Sequence, residues 1–582
     1  MNAVKKILLS LIGLVLIIAF QNCDQKGFGV DSPPIDASSV LGLPQNDPLF
    51  TYAWHLNNKG QSIFSSTSGV AGNDLNLLKT WNAGVYGKGI TVQVSDDGVE
   101  YLHEDLVANY NLLGGSRDYF NTVWVSNSAP PTDSDYHGTS VAGLIAAVGG
   151  NGKGSTGVAP QATLIATNFM SDDVSKTSDV VADQPKGNVD VVNMSWGFPQ
   201  NSFNSVDTAF EDQLKEGVTN GRNGKGKIYV KSSGNSRVEE VARGIDDYRL
   251  GFCVFDDYSN TPYTINVGAY LATGVVTNYS SPGSNLWVAS TGGYDGVKAP
   301  AMVTTDRKGC SLGYANSGLT GNSGTIGSGF QKGNNGNSGC NYTVQFNGTS
   351  SAAPTTAGAV ALLLSAYPKL NWRDVKYILA KTAEEAALDF DNSENYLYSL
   401  NRTTYLSQKS PTGYKWDEDW VTNAAGFRFS NYYGFGKVNV DKAIEFAATY
   451  TSIFTTPLIE SSQSVTGLSV SIPDFSSTGA TATIAFTEDI TIEAIQITPD
   501  VTHANAGELA VELISPRGLR SVVIPMNNAL DKIANIRNMR LLTNAFYQES
   551  SLGTWTMKVV DGRSGTAGTI NGWKINVMGQ AK

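Results

Sequence analysis

Between about residues 88 and 380, the sequence alternates short apolar segments with longer segments of helical periodicity. Helical spacing of apolar residues follows His137 and recurs at 205–218 and 350–366. The short apolar segments are the predicted strands, at 90–94, 163–170, 189–195, 227–232 and 264–269. Strands that are apolar on both faces and alternate with helices predict a doubly wound, mostly parallel sheet of the α/β class.

After about residue 450, helical periodicity stops and short strands alternate with turns. The strand segments are LSVSI, ATATIAF, ITIEAIQIT, LAVELISPRG, SVVIP, TWTMKVVDG and WKINVMG. Short strands at close spacing, separated by turn residues, predict an antiparallel β-sandwich. We therefore expect a second, all-β domain over 451–582.

The strand predicted at 90–94 is followed at once by Asp96, Asp97 and Gly98. One interpretation is an Asp-Asp-Gly turn, because these residues are common in turns. The other is functional, because buried carboxylates cost free energy unless they have a partner or a task. In parallel sheets the functional groups collect at the carboxyl ends of the strands, and Asp96 would lie at one such end.

Histidine is scarce, and His137 opens a predicted helix in DYHGTSVAG. Ser350 opens another in FNGTSSAAP, where Pro354 is expected in the first turn. A serine at a helix N-terminus has a free backbone N–H and a helix dipole that favours negative charge. His137 would take the serine proton, and a buried Asp96 would orient the imidazole. Asn235, in VKSSGNS, is a candidate hydrogen-bond donor to an oxyanion.

The chain has 41 basic and 52 acidic residues, which gives a formal net charge of −11. Because phosphate binding requires a basic surface, this balance argues against nucleic acid as the main partner. It is compatible with acidic pockets for a cationic substrate and with metal sites.

Residues 1–23 have the features of an export signal. Two lysines precede an apolar run at 7–20, which is too short to span a bilayer with ease. Cys23 follows, so the segment resembles a bacterial lipoprotein signal, in which that cysteine is lipidated and holds the protein on a membrane. The protein would then be a periplasmic or cell-surface lipoprotein; an ordinary cleaved signal, with secretion, and a retained anchor are the alternatives. Residues 24–46, rich in Pro and Ser, are expected to form a flexible tether.

Cys310 and Cys340 flank a segment rich in Gly, Ser and Asn. Export permits a disulfide, and closing so flexible a loop would stabilise the folded chain. We therefore expect a disulfide between these two residues and a buried free thiol at Cys253.

Four motifs, VSDDG, HGTSVAG, SSGN and GTSSAAP, together resemble those of the subtilisin-like serine proteases. The phrase NMSWG, the segment WRDVKYILAKTA and the C-terminal sandwich are similar to the kexin and furin branch, the proprotein convertases. The resemblance covers roughly residues 47–580. It implies a subtilisin-like catalytic domain at 47–450 and a jelly-roll-like P domain at 451–582.

The resemblance implies a role for each motif residue. Asp96, His137 and Ser350 would form the catalytic triad, with Asn235 as the oxyanion donor. Asp97 would face the substrate and help to bind a basic residue two positions before the cleaved bond. The other implied substrate-binding residues are Ser195, Trp196, Gly197, Asp207, Asp256 and Tyr258.

The chain departs from this branch where the branch binds arginine. The acid that follows Ser-Trp-Gly in convertases is absent from 198–201, although a second pocket acid is kept as Asp256. Ser281 stands where the branch places a glutamate that helps to hold a second calcium ion, so that site is expected to be lost. Cleavage after Lys or Arg is still the prediction.

The resemblance also implies one calcium site. Two carboxylates and the loop VGGNGKGS would supply its ligands. Hard oxygen ligands of this kind suit Ca²⁺ better than a transition metal. The implied ligands are the side chains of Asp47, Asp105 and Asn151 and the backbone carbonyls of Val148, Lys153 and Ser155.

The sequence thus predicts an exported, calcium-supported serine endopeptidase that cuts polypeptides at basic residues. Subtilases are generally made with a propeptide that assists folding, and only a short segment separates Cys23 from Asp47. Either folding needs no propeptide, or a separate chaperone supplies the function, which resembles some bacterial kexin-like enzymes. The alternative function is a surface-tethered module that binds protein or glycan and has little protease activity. A third hypothesis makes the sandwich chiefly structural.

Overall fold

The computed structural model describes residues 44–386, except 122, 126–127, 131, 201, 204, 206–207, 238–250 and 317–326, and residues 410–582, except 416–417 and 532. The predicted signal at 1–23 with Cys23, nearly all of the tether at 24–46, and Asp207 lie outside the described residues. Within the described ranges, no helix combines the length and the apolar character needed to cross a membrane.

A central sheet of eight strands forms the first part of the molecule. Its strands are β1 (Thr91–Ser95), β2 (Ser116–Asp118), β3 (Val123–Val125), β4 (Thr163–Thr167), β5 (Val191–Met194), β6 (Ile228–Ser232), β7 (Thr264–Tyr270) and β8 (Val288–Thr291). They lie in the order β3-β2-β4-β1-β5-β6-β7-β8, and all neighbours are parallel except β2 and β3. Strands β5 to β8 are buried at every residue, as expected for a parallel sheet with both faces covered.

Helices lie on both sides of this sheet. They are α1 (Leu78–Asn82), α2 (His137–Ala146), α3 (Ser178–Asp183), α4 (Thr208–Gly224), α5 (Gly313–Asn316), α6 (Gly327–Gln331), α7 (Thr349–Ala366), α8 (Trp372–Thr382) and α9 (Val440–Ala447). Short 3₁₀ turns occur at Pro44–Asn46, Phe50–Tyr52, Gln184–Lys186, Cys253–Phe255, Asp257–Ser259 and Ala506–Glu508. Helix α7 is apolar on all sides, is almost wholly buried and packs on α2 and the sheet, so it is the centre of the core.

The second part is an antiparallel β-sandwich. One sheet has the order β13-β21-β16-β19, with β14 also paired to β21, and the other has the order β15-β20-β17-β18. The strands are β13 (Ile459–Val465), β14 (Val470–Ile472), β15 (Ala480–Phe486), β16 (Ile490–Thr502), β17 (Leu509–Ile514), β18 (Arg520–Ile524), β19 (Leu541–Thr543), β20 (Gly553–Asp561) and β21 (Gly568–Ala581). Two small antiparallel two-stranded sheets precede it: β9 (Met302–Thr305) with β10 (Tyr342–Phe346), and β11 (Val421–Thr422) with β12 (Arg428–Phe429).

The predicted fold class, a doubly wound α/β sheet followed by an all-β sandwich, is confirmed. Strand β15 alternates buried and exposed residues without exception, which is why its sequence predicted it fully. Strand β13 was missed, because it carries polar side chains and lies at a sheet edge with no wholly buried residue.

Polar side chains join the two parts. Arg373, in α8, forms a buried ion pair with Glu493, in β16, through Nε and Nη2. Its Cζ also lies 4.4 Å from the centroid of the Phe454 ring. Asn544 donates to the backbone carbonyls of Asn285 and Leu286 at 3.1 and 3.0 Å. The sandwich is therefore held on the α/β part by directional contacts as well as by apolar packing.

Candidate active site

The carboxyl end of β1 lies at the point where the sheet order changes direction. Strand β4 lies on one side of β1 and β5 on the other, so the connections leave in opposite directions there. This arrangement opens a crevice above the strand ends, where ligands bind in open α/β sheets. Asp96 and Asp97 follow β1 directly and are 2% and 8% exposed. The two carboxylates therefore lie at the place where the fold favours a site.

Two glycines allow helix α2 to begin against the end of β1. A Cβ at Gly138 would overlap the carbonyl oxygen of Gly98 and lie 2.9 Å from Asp97 Oδ1. Gly98 has a φ of +107°, and a Cβ there would lie 2.8 Å from the backbone of Ala129. The glycine that follows each motif residue thus permits the close approach of helix and strand.

This approach brings His137 to Asp96. The imidazole Nδ1 and the carboxylate Oδ1 are 2.9 Å apart. Asp96 is buried, whereas one third of the His137 side chain is exposed. Burial opposes the charged imidazolium, but the charge and hydrogen bond of Asp96 outweigh it and raise the pKa of His137 to about 9. The carboxylate of Asp96 therefore fixes the Nδ1 atom of His137, and part of the imidazole ring stays exposed to solvent.

Asp97 has a different environment from the one expected of a substrate-facing acid. Its Oδ2 accepts the backbone N–H of His137 at 2.9 Å, and its Oδ1 accepts that of Gly138 at 2.7 Å. Burial and the neighbouring Asp96 raise the pKa of Asp97 to about 7. Both oxygens are thus used to cap the N-terminus of α2, where the free backbone N–H groups attract a carboxylate.

A ring contact places His137 beside the segment that leads to Ser350. The imidazole and the Phe346 ring meet edge to face, with centroids 5.2 Å apart. Phe346 ends β10, and only two residues separate it from the first residue of α7. Ser350 is the second residue of that helix and is half-buried.

Pro354 is the sixth residue of α7 and lies in its second turn, so the expectation of a first-turn proline was wrong. A helical residue at this position would donate its N–H to the carbonyl oxygen of Ser350, and proline has no N–H to donate. That oxygen instead accepts a hydrogen bond from Ser195 Oγ at 3.0 Å. In return, Ser350 Oγ donates to the carbonyl oxygen of Ser195 at 3.4 Å. The proline therefore leaves the carbonyl oxygen of Ser350 free to accept the hydrogen bond that joins α7 to the segment after β5.

Asn235 lies against the start of α7. Its Oδ1 accepts hydrogen bonds from the backbone N–H and the Oγ1 of Thr349, each at 2.9 Å. The opposite atom of the amide, Nδ2, is thereby directed away from Thr349. A Cβ at Gly348, which has a φ of +101°, would lie 3.3 Å from this Nδ2 and 3.5 Å from the backbone nitrogen of Ser350. Two nitrogen donors thus border a space that only glycine leaves open.

The predicted pocket acid Asp256 is paired inside the chain. Its Oδ2 is 2.9 Å from Nζ of Lys231, and the two side chains are 1% and 0% exposed. Trp196, which is buried, and Gly197, which is exposed, cover this pair. Tyr258 is half-buried and stacks on Phe198, at 5.0 Å between ring centroids. Five of the predicted substrate-binding residues therefore lie along one segment and beneath it: Ser195, Trp196, Gly197, Asp256 and Tyr258. Asp97 lies apart from them at the start of α2, and Asp207 is outside the described residues.

The residues of the predicted calcium site form a single cluster. Asp105 Oδ1 accepts from Asn151 Nδ2 at 2.8 Å, and Oδ2 accepts from the Ser155 N–H at 2.9 Å. Asp47 accepts from the N–H groups of the same loop, at Gly150 and Gly152. The Val148 N–H donates to the carbonyl oxygen of Asp105 at 2.8 Å, and the Lys153 N–H to Asn151 Oδ1 at 2.8 Å.

Electrostatics of this cluster favour a cation. Burial, together with the nearby charge of Asp47, raises the pKa of Asp105 to about 7. Burial also raises the pKa of Asp47. Two buried carboxylates, Asp47 and Asp105, thus lie against one loop, and carboxylate oxygens are among the ligands that Ca²⁺ prefers. The residues present fit a calcium ion.

The cysteines have two environments. The structure contains a disulfide between Cys310 and Cys340. Cys253 is a buried free thiol, as expected, and burial raises its pKa to about 12.

Two buried charged residues were missed from the sequence, Lys231 beneath the site and Arg373 at the junction with the sandwich. Lys231 lies in a strand that is buried at every residue, and lysine is almost never buried without a partner. Its position just before SSGN was the available signal. Arg373 gave none, because a basic residue on an amphipathic helix usually faces solvent.

Comparison with known proteins identifies the family. Residues 87–436 match the subtilase family, and residues 492–577 match the proprotein convertase P-domain. The extracellular serine protease of Aeromonas sobria is 36% identical, over 91% of this chain and 86% of that protein. Kexin of Saccharomyces cerevisiae is 28% identical, over 96% of this chain and 60% of kexin.

A solved structure has the same fold. The Aeromonas sobria serine protease, in complex with the chaperone ORF2, has a TM-score of 0.79 and 29% identity. The match covers 96% of this chain and 98% of that one. The chain therefore belongs to the subtilase family, as a kexin-type serine endopeptidase with a P domain, and polypeptides are its substrates.

Proposed function

We propose that Asp96, His137 and Ser350 are the catalytic triad of this endopeptidase. Ser350 Oγ would attack the peptide carbonyl carbon, while the imidazole takes its proton and later gives it to the leaving amine. Asp96 would hold Nδ1–H and stabilise the imidazolium as it forms. The observation that carries this proposal is the 2.9 Å bond between Nδ1 and Asp96 Oδ1, made across 41 residues of sequence.

The oxyanion of the tetrahedral intermediate would bind between two nitrogen donors. These are the backbone N–H of Ser350, at the start of α7, and Nδ2 of Asn235. Thr349 orients the Asn235 amide through Oδ1, which supports the assignment of Nδ2 as the free donor. Donors fixed before the reaction stabilise the developing charge without reorganisation.

A fluorophosphonate probe tests the triad, because it reacts only with an activated serine. The wild-type protein should be labelled and Ser350→Ala should not. Ser365→Ala, near the other end of the same helix, is the matched control and should be labelled like wild type. A folded wild-type protein that resists the probe would contradict the proposal and favour the alternative, a surface module that binds protein or glycan.

Cleavage after Lys or Arg is the proposed specificity. Asp256 supports it by position, because its carboxylate lies beneath Gly197, two residues from the Ser195 that contacts Ser350. A peptide library should be cut mainly after basic residues. A profile led by apolar residues would contradict this specificity and leave the endopeptidase intact.

We propose that Ca²⁺ binds the cluster around Asp105. Asp47, Asp105 and Asn151 would supply side-chain oxygens, and Val148, Lys153 and Ser155 would supply carbonyl oxygens. Bound there, the ion would neutralise the two buried carboxylates and hold the loop after α2 against the N-terminal segment. Its role would be structural, because the chemistry at Ser350 needs no metal.

We propose that residues 47–450 and 451–582 act as catalytic and P domains, and that the protein is exported. The similar proteins include an extracellular serine protease and a serine protease in complex with its chaperone, which supports export and a separate folding partner. Attachment to a membrane through Cys23 stays a prediction. Acyl labelling of the wild type that is lost in Cys23→Ala would support it. Soluble yield with and without a coexpressed partner gene would test the chaperone.

A further inference from the structure

The segment at 195–197 adjoins the proposed nucleophile. Ser350 and Ser195 exchange two hydrogen bonds, each from one hydroxyl to the other backbone carbonyl, at 3.4 and 3.0 Å. The carbon attacked by Ser350 is bonded to the Cα of the residue that precedes the cleaved bond. The side chain of that residue therefore begins close to this segment, and charges beneath the segment act on it.

A buried ion pair lies directly beneath Gly197. A Cβ at this glycine would lie 3.1 Å from Asp256 Oδ2 and 3.4 Å from Lys231 Nζ. Gly197 itself is exposed, whereas both ionic side chains are inaccessible. Only the backbone of one glycine separates the pair from the surface that receives substrate.

Lys231 is held firmly in this position. Its ammonium group donates to Asp256 Oδ2 at 2.9 Å and to the carbonyl oxygen of Trp196 at 3.0 Å. It also lies 5.1 Å from the centroid of the Trp196 ring, a cation–π contact. Displacement of Lys231 by another cation would break two hydrogen bonds and a cation–π contact, so we expect the lysine to stay in place.

We propose that Lys231 determines the specificity of the site by acting as a built-in counter-ion to Asp256. The pair has no net charge, so a Lys or Arg side chain of the substrate meets a neutral floor and a nearby ammonium group, instead of a lone carboxylate. Lys231 thus weakens the preference for basic residues that Asp256 would otherwise impose. This inference rests on the proposed function and concerns the same site.

The test compares kcat/KM for two peptides that differ only in Arg or Leu before the cleaved bond. Lys231→Met should raise the Arg/Leu ratio by about tenfold or more, because it uncovers the charge of Asp256. Asp256→Asn should lower the ratio by a similar factor, because it leaves the positive charge of Lys231 without its partner. Lys227→Met is the matched control: that lysine directly precedes β6, its ammonium group donates to two backbone carbonyls, and its loss should leave the ratio unchanged.

Lys231→Met leaves a carboxylate buried without its partner, so its folding is checked by thermal melting. The double variant Lys231→Met/Asp256→Asn has no buried lone charge and should keep the wild-type ratio within about threefold. An unchanged ratio in a folded single variant, or a ratio shifted about tenfold in the double variant, would overturn the proposal. If the fluorophosphonate probe does not label the folded wild-type protein, the proposed triad itself would be refuted instead.

Discussion

The two parts of the molecule use buried charge differently. In the α/β part, Asp96, Asp97 and Asp256 lie at or near the open carboxyl edge of the sheet, within contact of α2 or of the segment after β5. In the sandwich, the buried Glu493 faces Arg373 across the junction between the parts. The first group of charges thus lies where substrate would arrive, and the Glu493–Arg373 pair lies where it holds the parts together.

This difference follows from sheet geometry. A parallel sheet gathers the ends of several strands at one edge, and polar groups there adjoin a crevice. A sandwich turns its apolar faces inward on both sheets and offers no such edge. Changes at the edge of β1 should therefore lower activity with little change in melting temperature, and changes at Arg373 should do the reverse.

The largest expected effect is that of Asp96→Asn. An amide at this position favours the wrong imidazole tautomer, so kcat/KM should fall by about 10⁴-fold. The melting temperature should change little, because the substitution is nearly isosteric. Steady-state kinetics on a peptide and a melting curve measure both, with Asp500→Asn, an exposed acid of the sandwich, as control. A loss of activity below about tenfold would break the contrast.

Arg373→Met tests the other side of the comparison. It leaves Glu493 buried without its partner, which should cost about 3–5 kcal/mol of stability. Activity measured well below the melting temperature should stay near that of the wild type. The control is Arg537→Met, which removes an exposed ion pair with Asp500 and should cost less than about 1 kcal/mol. Equal effects of both variants on the denaturation midpoint would show that the junction needs no ion pair.

Asn235→Ala should lower kcat by about 10²–10³-fold through loss of one oxyanion donor. Asn235→Asp sharpens this test, because it keeps the acceptor for Thr349 and removes the Nδ2 donor. Both variants should therefore be impaired, with KM near that of the wild type. If Asn235→Asp kept full kcat, the residue would be an anchor for α7 and not an oxyanion donor.

Removal of calcium should have a smaller effect, and on stability alone. If the ion is present at about 100 times its Kd, EDTA should cost about 2.7 kcal/mol. The melting temperature of the wild type should fall, whereas that of Asp105→Asn should be low already and insensitive to EDTA. The same melting curve with and without EDTA, and no bound calcium by elemental analysis, would exclude the site.

Over a single pH unit, pH should have the smallest of these effects on activity. His137 must be neutral to accept a proton, and its pKa is raised to about 9, so kcat/KM should rise by about tenfold per pH unit toward that value and then level. Stability changes the other way: a raised histidine pKa stabilises the fold below about pH 6.5, and this contribution is lost as pH rises to 9. A profile that levels near pH 6 would show that Asp96 does not raise the pKa.

Much of the architecture could be predicted, and the reason is local. Strand β15 carries a complete alternating pattern, so its boundaries followed from sequence alone. The start of α2 at His137 was also predicted, although the helix ends at Ala146. The short strands β2, β3 and β19 were missed, because three residues are too few to show a period. The close approaches at the motif glycines were not predicted either, because the atoms that a Cβ would meet come from other segments of the chain.

Some contacts between site residues could likewise be predicted from the sequence, and others could not. Asp96 and His137 were expected to meet, because the chemistry of a nucleophilic serine requires a base and a carboxylate. That Asp97 caps α2 was not foreseen, since a sequence does not say which of two adjacent carboxylates faces a helix. The partner of Asp256 was likewise hidden, because 25 residues separate it from Lys231.

The sequence by itself determined which residue types the chain brings to its strand ends and helix starts, and with them the fold class and the kind of chemistry. These depend on local periodicity and on short motifs, which adjacent residues specify. Only the tertiary structure decided which charges neutralise one another: Asp97 with the start of α2, Lys231 with Asp256, and Arg373 with Glu493. Electrostatic pairing depends on distance and burial in three dimensions, and neither quantity is encoded in the spacing of residues along the chain.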